Sequence, residues 1–285
     1  MLHTRITKIL PLTLVFLFCF VACTSPKSAL RKEGVVIREN LVFAERSGKK
    51  LALDFYENHQ SEKPPLVVWF HGGGFVSGSK DDCPLGFLVN KGFAVASVSY
   101  RFTTFAPWPA QRDDALLALN WLREAKDLKF DRDNIYLAGV SAGGHLAGIT
   151  GLADQNKTRV RGIIDLCGGV DMRKLHIEGS PFARDCVEKM FGGPPRNPDP
   201  NVDSANPALL VDSSSPPFLV IHGTADKTIP INQSEILVEK LKASGVPVTF
   251  KRLEGLEHSL GGANNPVLKE AVIDFLNPKK NAPKN

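Results

Sequence analysis

Nowhere in the 285 residues do two cysteines stand three apart or two histidines four apart. The spacings that build structural or catalytic zinc sites are therefore missing, and no metal is expected. Tryptophan, tyrosine and methionine occur only three times each, and no lysine/arginine run interleaves with aromatic residues. A nucleic-acid groove needs that interleaving, so no nucleic-acid partner is expected. The formal charge of +5 is spread along the chain and selects no partner by itself. Five cysteines are too few for a disulfide framework in a chain of this length. What is present is 43% hydrophobic residues, enough for one large α/β domain or two small ones.

The N-terminus reads as an export signal. His3, Arg5 and Lys8 precede an apolar run from Ile9 to Ala22, short of the roughly 20 residues of a membrane span but suited to a signal-peptide core. Ala22 stands directly before Cys23, and "FVAC" resembles a bacterial lipobox whose cysteine is acylated after cleavage; ordinary secretory cleavage near Ala22 or Ser25 is the alternative. The lipoprotein reading predicts a signal over residues 1–22, lipid on Cys23, a polar tether over 23–33, a domain over 34–278 and a loose tail over 279–285. It places the protein at a membrane face, anchored by its acyl chains. Cys19 leaves with the signal, so Cys83, Cys167 and Cys186 remain, and at most one disulfide can form.

Val35 to Ala44 and Lys50 to Glu57 read as a hairpin turning at Ser47-Gly48. Leu66 to Phe70, Phe93 to Ser99, Asn134 to Val140, Val160 to Leu166 and Phe218 to His222 are short apolar runs without alternation, as in strands covered on both faces. Ala110 to Lys126 and Gln233 to Ser244 carry helical patterns, and Val246 to Leu253 reads as a late strand. Strands alternating with helices predict an α/β fold with a mostly parallel sheet. Residues 171–215, rich in glycine and proline, break the rhythm. They read as an excursion above the sheet with one short helical candidate at Arg184 to Phe191, either lining a cleft or crossing the surface.

Two glycine-bearing motifs point to chemistry. "WFHGGGFVSGSK" approximates a phosphate loop from Gly73, but Lys80 follows Ser79 rather than the second glycine, which is the wrong order for holding phosphate and magnesium. The remaining use for such bare amides is to meet an oxyanion. "IYLAGVSAGGHLAG" sets Gly-x-Ser-x-Gly between an apolar strand and a helix, presenting Ser141 on a tight turn at a helix N-terminus. A serine nucleophile needs a base, and the base needs an orienting acid. Of seven histidines, His258 lies in a late loop where the order serine, acid, histidine places the base. Asp226, after the strand ending at His222, is the matching acid, with Glu257 and Asp171 as rivals.

From about Val42 to Phe275 the chain resembles the α/β-hydrolase fold. More narrowly it is similar to hormone-sensitive-lipase-like carboxylesterases and the bacterial feruloyl/acetyl-xylan esterase type. "HGGGF", "GVSAGG", "HGTAD" and the loop histidine carry the resemblance in order, together with "WPAQRDD". It implies Ser141 as nucleophile, His258 as general base and acid, and Asp226 as the residue orienting His258. It implies oxyanion donors from Gly73, Gly74 and Ala142, Gly72 shaping the turn, His71 and Arg101 as scaffold, and no cofactor. The expected activity is hydrolysis of carboxylic esters with small acyl groups, such as acetyl on a carbohydrate. Two rivals are a prolyl-oligopeptidase-like peptidase, against which Ala142 after the nucleophile and the short N-terminal region speak, and a non-catalytic lipoprotein binding module, which would have no need of an intact triad.

Overall fold

The computed structural model describes residues 27–58, 61–153, 160–262 and 264–277. The expected signal, Cys23 and the tail over 279–285 lie outside them.

Eight strands form one sheet in the order β1-β2-β4-β3-β5-β6-β7-β8. The hairpin β1 (Val36–Arg46) and β2 (Lys49–Glu57) is antiparallel, and β2 pairs antiparallel with β4 (Ala94–Val98). From β4 onward every pairing is parallel, through β3 (Pro65–Phe70), β5 (Asp131–Val140), β6 (Gly162–Leu166), β7 (Phe218–Gly223) and β8 (Val248–Leu253). This is the mostly parallel sheet expected of an α/β hydrolase.

The two-residue period of the strands divides the core in two. Leu66, Val68 and Phe70 of β3 pack on one face with Leu119 and Leu122 of α2 (Ala110–Glu124), Leu146 and Ile149 of α3 (Ala142–Ala153), and Leu237 and Leu241 of α8 (Asn232–Ala243). Val67 and Trp69 point the other way, against Leu85 and Leu88 of a 3-10 helix (Pro84–Lys91) and Val272 and Leu276 of α9 (Pro266–Leu276). Burial on both faces explains why these strands read as unbroken apolar runs.

Two boundaries differ from the sequence reading. Residues 27–33 are not tether: α1 (Lys27–Lys32) closes the second core layer, with Leu30 2% exposed beneath it. Lys27 reaches fully buried Asp54 at 2.6 Å, and Lys80 meets the same carboxylate at 2.8 Å. "KSALRK" contains one large apolar residue, so no periodicity announced it. The excursion over 171–215 holds four helices rather than one: α4 (Met172–Glu178), α5 (Pro181–Phe191), α6 (Pro200–Asp203) and α7 (Pro207–Leu210). Prolines read as breakers in fact begin three of them, where a missing N–H costs nothing. Ser180, Asp199 and Asn206 cap those three starts through their side chains.

Candidate active site

The loops at the C-terminal ends of β3, β5, β7 and β8 hold Gly72, Gly73, Gly74, Ser141, Asp226 and His258. Open parallel sheets bind ligands at this end.

Ser141 sits between β5 and α3 with φ +57°, a left-handed conformation that a serine adopts only under constraint. Its amide donates to the Leu166 carbonyl at 2.8 Å, and its carbonyl accepts from His145 at 3.1 Å. The flanking glycines are sterically required. A Cβ on Gly139 would stand 2.1 Å from the Gly143 carbonyl oxygen, and one on Gly143 would stand 2.0 Å from that of Phe70. The turn is thus pressed against β3, which fixes the hydroxyl beside the glycine loop.

His258 Nε2 lies 2.9 Å from Ser141 Oγ, and His258 Nδ1 lies 2.6 Å from Asp226 Oδ2. All three residues are 8% exposed, so water competes weakly for these bonds. Asp226 follows β7 in a turn whose amides cradle it: Thr228 and Ile229 donate to Oδ1 at 2.8 and 2.9 Å. Burial opposes its ionisation, but hydrogen bonds from His222 and His258 outweigh burial and hold the carboxyl well below its usual range. The rivals fall elsewhere, since Asp171 caps α4 by accepting from the Lys174 amide and Glu257 points to solvent.

A cavity with about 410 Å³ of empty space, open solvent included, lies beside Ser141. Gly74 and Ala142 line it, whereas Gly73 and His258 do not. No described carbonyl accepts from the amides of Gly73, Gly74 or Ala142. Gly73 has φ +113°, and its carbonyl takes the Val76 and Ser77 amides at 3.0 and 3.1 Å, so its freedom is used to turn the loop. Gly72 approaches Ser141 so closely that a Cβ there would be 3.4 Å from the serine Cβ. The far wall comes from the excursion, through Met172, Leu175, Phe182, Cys186, Val187 and Met190. The excursion therefore lines the cleft.

The scaffold is polar but closed. His71 stacks on Tyr100 with ring centroids 4.4 Å apart, and burial pushes its imidazole down to about 4, so it stays neutral. Arg101 grips buried Asp114 at 2.7 and 2.8 Å, while Gln111 of "WPAQRDD" ties the carbonyls of Arg101 and Ala106. Cys83, Cys167 and Cys186 are free and buried. Among the described residues, Cys167, Asp226 and His258 bring one ligand-type atom each within 4.8 Å of one another. This donor set does not suit a metal: Asp226 and His258 are bonded to each other, and burial raises the Cys167 thiol far from the thiolate a metal requires.

Sequence reasoning missed His222. It stands one residue before the end of β7, fully buried, with Nε2 3.1 Å from Asp226 Oδ2. Its place four residues before Asp226 in "HGTAD" was the available signal, hidden because the loop between them folds back.

The BD-FAE family matches residues 53–241. Esterase LipC of Mycobacterium tuberculosis is 29% identical over 270 residues, covering 87% of this chain and 67% of LipC. The probable carboxylic ester hydrolase LipM of the same organism is 28% identical over 233 residues, covering 74% of this chain and 54% of LipM. The chain therefore spans roughly half to two thirds of the length of these relatives. Among solved structures, a truncated carbohydrate esterase from gut microbiota superposes with a TM-score of 0.75 at 25% identity, covering 87% of this chain and 97% of that one. A bifunctional GH43-CE protein of Bacteroides eggerthii gives a TM-score of 0.75 at 28% identity, covering 85% of this chain and 35% of that one.

Proposed function

The chain belongs to the BD-FAE family of the α/β-hydrolase esterases, and on that premise we propose that it is a serine carboxylesterase working through an acyl-enzyme. The observation that carries this reading is the unbroken chain Ser141–His258–Asp226, at 2.9 and 2.6 Å. Asp226 is an ionised acceptor, so it fixes the proton on His258 Nδ1 and leaves Nε2 bare for the serine hydroxyl. Ser141 Oγ gives its proton to Nε2 and attacks the ester carbonyl. The negative oxygen that forms is met by the amides of Gly74 and Ala142, with Gly73 shaping the loop that presents the first. His258 then protonates the leaving alcohol, and water enters by the same route in reverse to release the acid.

The cavity holds the acyl half. His258 must reach the leaving oxygen, and the cavity is lined by the oxyanion residues but not by His258. Its walls are almost wholly apolar, which favours an uncharged short acyl group. Likeness to a carbohydrate esterase structure supports acetyl or a similar small acyl on a sugar as the substrate. Purified protein should release p-nitrophenol from short acyl esters, and Ser141→Ala and His258→Ala should each lose at least about 10³-fold in kcat. Retention of activity in both variants overturns the reading.

We further propose that the protein is exported and lipid-anchored at Cys23. The first described helix begins at Lys27, four residues on, so Cys23 lies within about 14 Å of it, at roughly 3.6 Å per residue. A diacylglyceryl mass on an N-terminal Cys23 is the expected result, and an unmodified N-terminus at Cys23 or Pro26 the contrary one.

A further inference from the structure

One residue before its end, β7 carries a histidine that no step above uses. His222 Nδ1 lies 2.7 Å from Ser234 Oγ on α8, while Nε2 lies 2.8 Å from the Ile229 carbonyl oxygen and 3.1 Å from Asp226 Oδ2. A carbonyl oxygen can only accept, so Nε2 carries a proton and shares it between Ile229 and Asp226. The Ser234 hydroxyl serves Nδ1 from the other side. Asp226 is thus held by four N–H groups, two backbone amides on Oδ1 and two imidazoles on Oδ2.

We propose that His222 is a positioning residue that acts on catalysis through Asp226, sharing the carboxylate oxygen that His258 uses and so keeping His258 free to accept the serine proton at lower pH. This rests on the serine-esterase reading. Two imidazole donors on one oxygen divide its negative charge. Without the His222 N–H, Oδ2 would hold the His258 imidazolium more tightly, and the base would fill with a proton at higher pH. The carboxylate would also lose one of the bonds that fix its plane.

The surroundings of His222 set the sign. Asp226 faces it from its own loop, Asp165 from β6 and Ser234 from α8, and the Cys167 thiol lies within 4.8 Å of the Asp226 carboxylate. Burial pushes the Asp165 carboxyl up to about 6, with His222 pulling against that rise. Among the described residues the two imidazoles are the side chains bonded to Asp226 Oδ2, so removing His222 leaves His258 alone on that oxygen. A purely structural peg between β7 and α8 would affect stability and leave the pH profile where it was.

The test compares wild type, His222→Leu and His222→Gln, whose side-chain amide can donate where Nε2 did. With p-nitrophenyl butyrate, His222→Leu should lose about tenfold in kcat with KM little changed, well short of the ~10⁴ that follows disruption of a triad acid. Its acid limb in kcat/KM should move up by about half a pH unit or more, and His222→Gln should recover most of both. An unmoved limb in folded His222→Leu overturns the proposal. Should that variant not fold, ¹⁵N-imidazole spectra of the wild type decide: a proton on His222 Nε2 supports the proposal, and a bare Nε2 overturns it. Fluorophosphonate labelling of wild-type Ser141 separates the two readings, because labelling with an unmoved limb sinks this inference alone, while absent labelling sinks the esterase itself.

Discussion

Gly74 and Cys186 close upon each other across the cavity: a Cβ on Gly74 would stand 2.4 Å from the Cys186 sulfur. One belongs to the glycine loop after β3 and the other to α5, so that loop and the helix that walls the cavity are in direct contact. On the proposed assignment, a change at this pair would alter the acyl wall and the oxyanion loop together.

Acyl preference should follow from that wall. Short esters from acetate to butyrate should be cleaved readily, with rates falling toward decanoate as the chain outgrows the cavity. Cys186→Leu should shift preference toward acetate, and Met190→Ala toward longer chains, each by about 10-fold in relative kcat/KM per methylene-sized change. Equal rates across all chain lengths, in wild type and variants alike, contradict the assignment of this cavity to the acyl group.

The turn that presents Ser141 tolerates no methyl group. Gly143→Ala drives a Cβ to within 2.0 Å of the Phe70 carbonyl oxygen, and the backbone there belongs to a central strand that cannot yield. A loss of about 3 kcal/mol or more in unfolding free energy is expected, together with loss of activity. Urea unfolding checks it, and a change below about 0.5 kcal/mol would show that the turn is not under this constraint.

The N-terminal helix belongs to the fold and not to the tether. Leu30 is 2% exposed against the 3-10 helix, and a Cβ on Gly86 would stand 2.5 Å from a Leu30 methyl. Leu30→Ala should cost about 2–3 kcal/mol, and a chain beginning at Gly34 should melt lower still. Unchanged melting would return residues 27–33 to the tether.

Stability should fall on acidification. Burial pushes the imidazoles of both His71 and His145 from 6.5 down to about 4, so between those values the unfolded chain binds two protons that the folded chain refuses. Burial pushes the Asp165 carboxyl from 3.8 up to about 6, which lets the folded chain bind one proton first and offsets one histidine. The net excess lies with the unfolded state, so the urea midpoint should drop from pH 6.5 toward pH 4 and drop further as Asp226, held low, is forced to protonate. His145→Gln should flatten the upper part of that curve. A midpoint that rises across this window contradicts the burial of both histidines.

Much of this was legible because the chemistry constrains the sequence tightly. The glycines around Ser141 have no steric alternative, and strands covered on both faces must be apolar throughout. What escaped was set by tertiary contact. α1 is held by one leucine and by the Lys27–Asp54 ion pair, neither of which has a period to read. The helices over 172–210 are short and begin at prolines, so local punctuation hid them. His222 gains its relation to Asp226 only because the loop after β7 doubles back within four residues. Which of three adjacent glycines lines a cavity is likewise beyond sequence, and here it is Gly74.

The central claim is that Ser141 is a nucleophile activated through His258 and Asp226, and intact-mass analysis after treatment with a fluorophosphonate tests it most directly. The account predicts one adduct per chain, mapped to the peptide containing Ser141, lost in Ser141→Ala and greatly slowed in His258→Ala. A folded wild-type protein that takes up no adduct, or carries it on another residue, contradicts it.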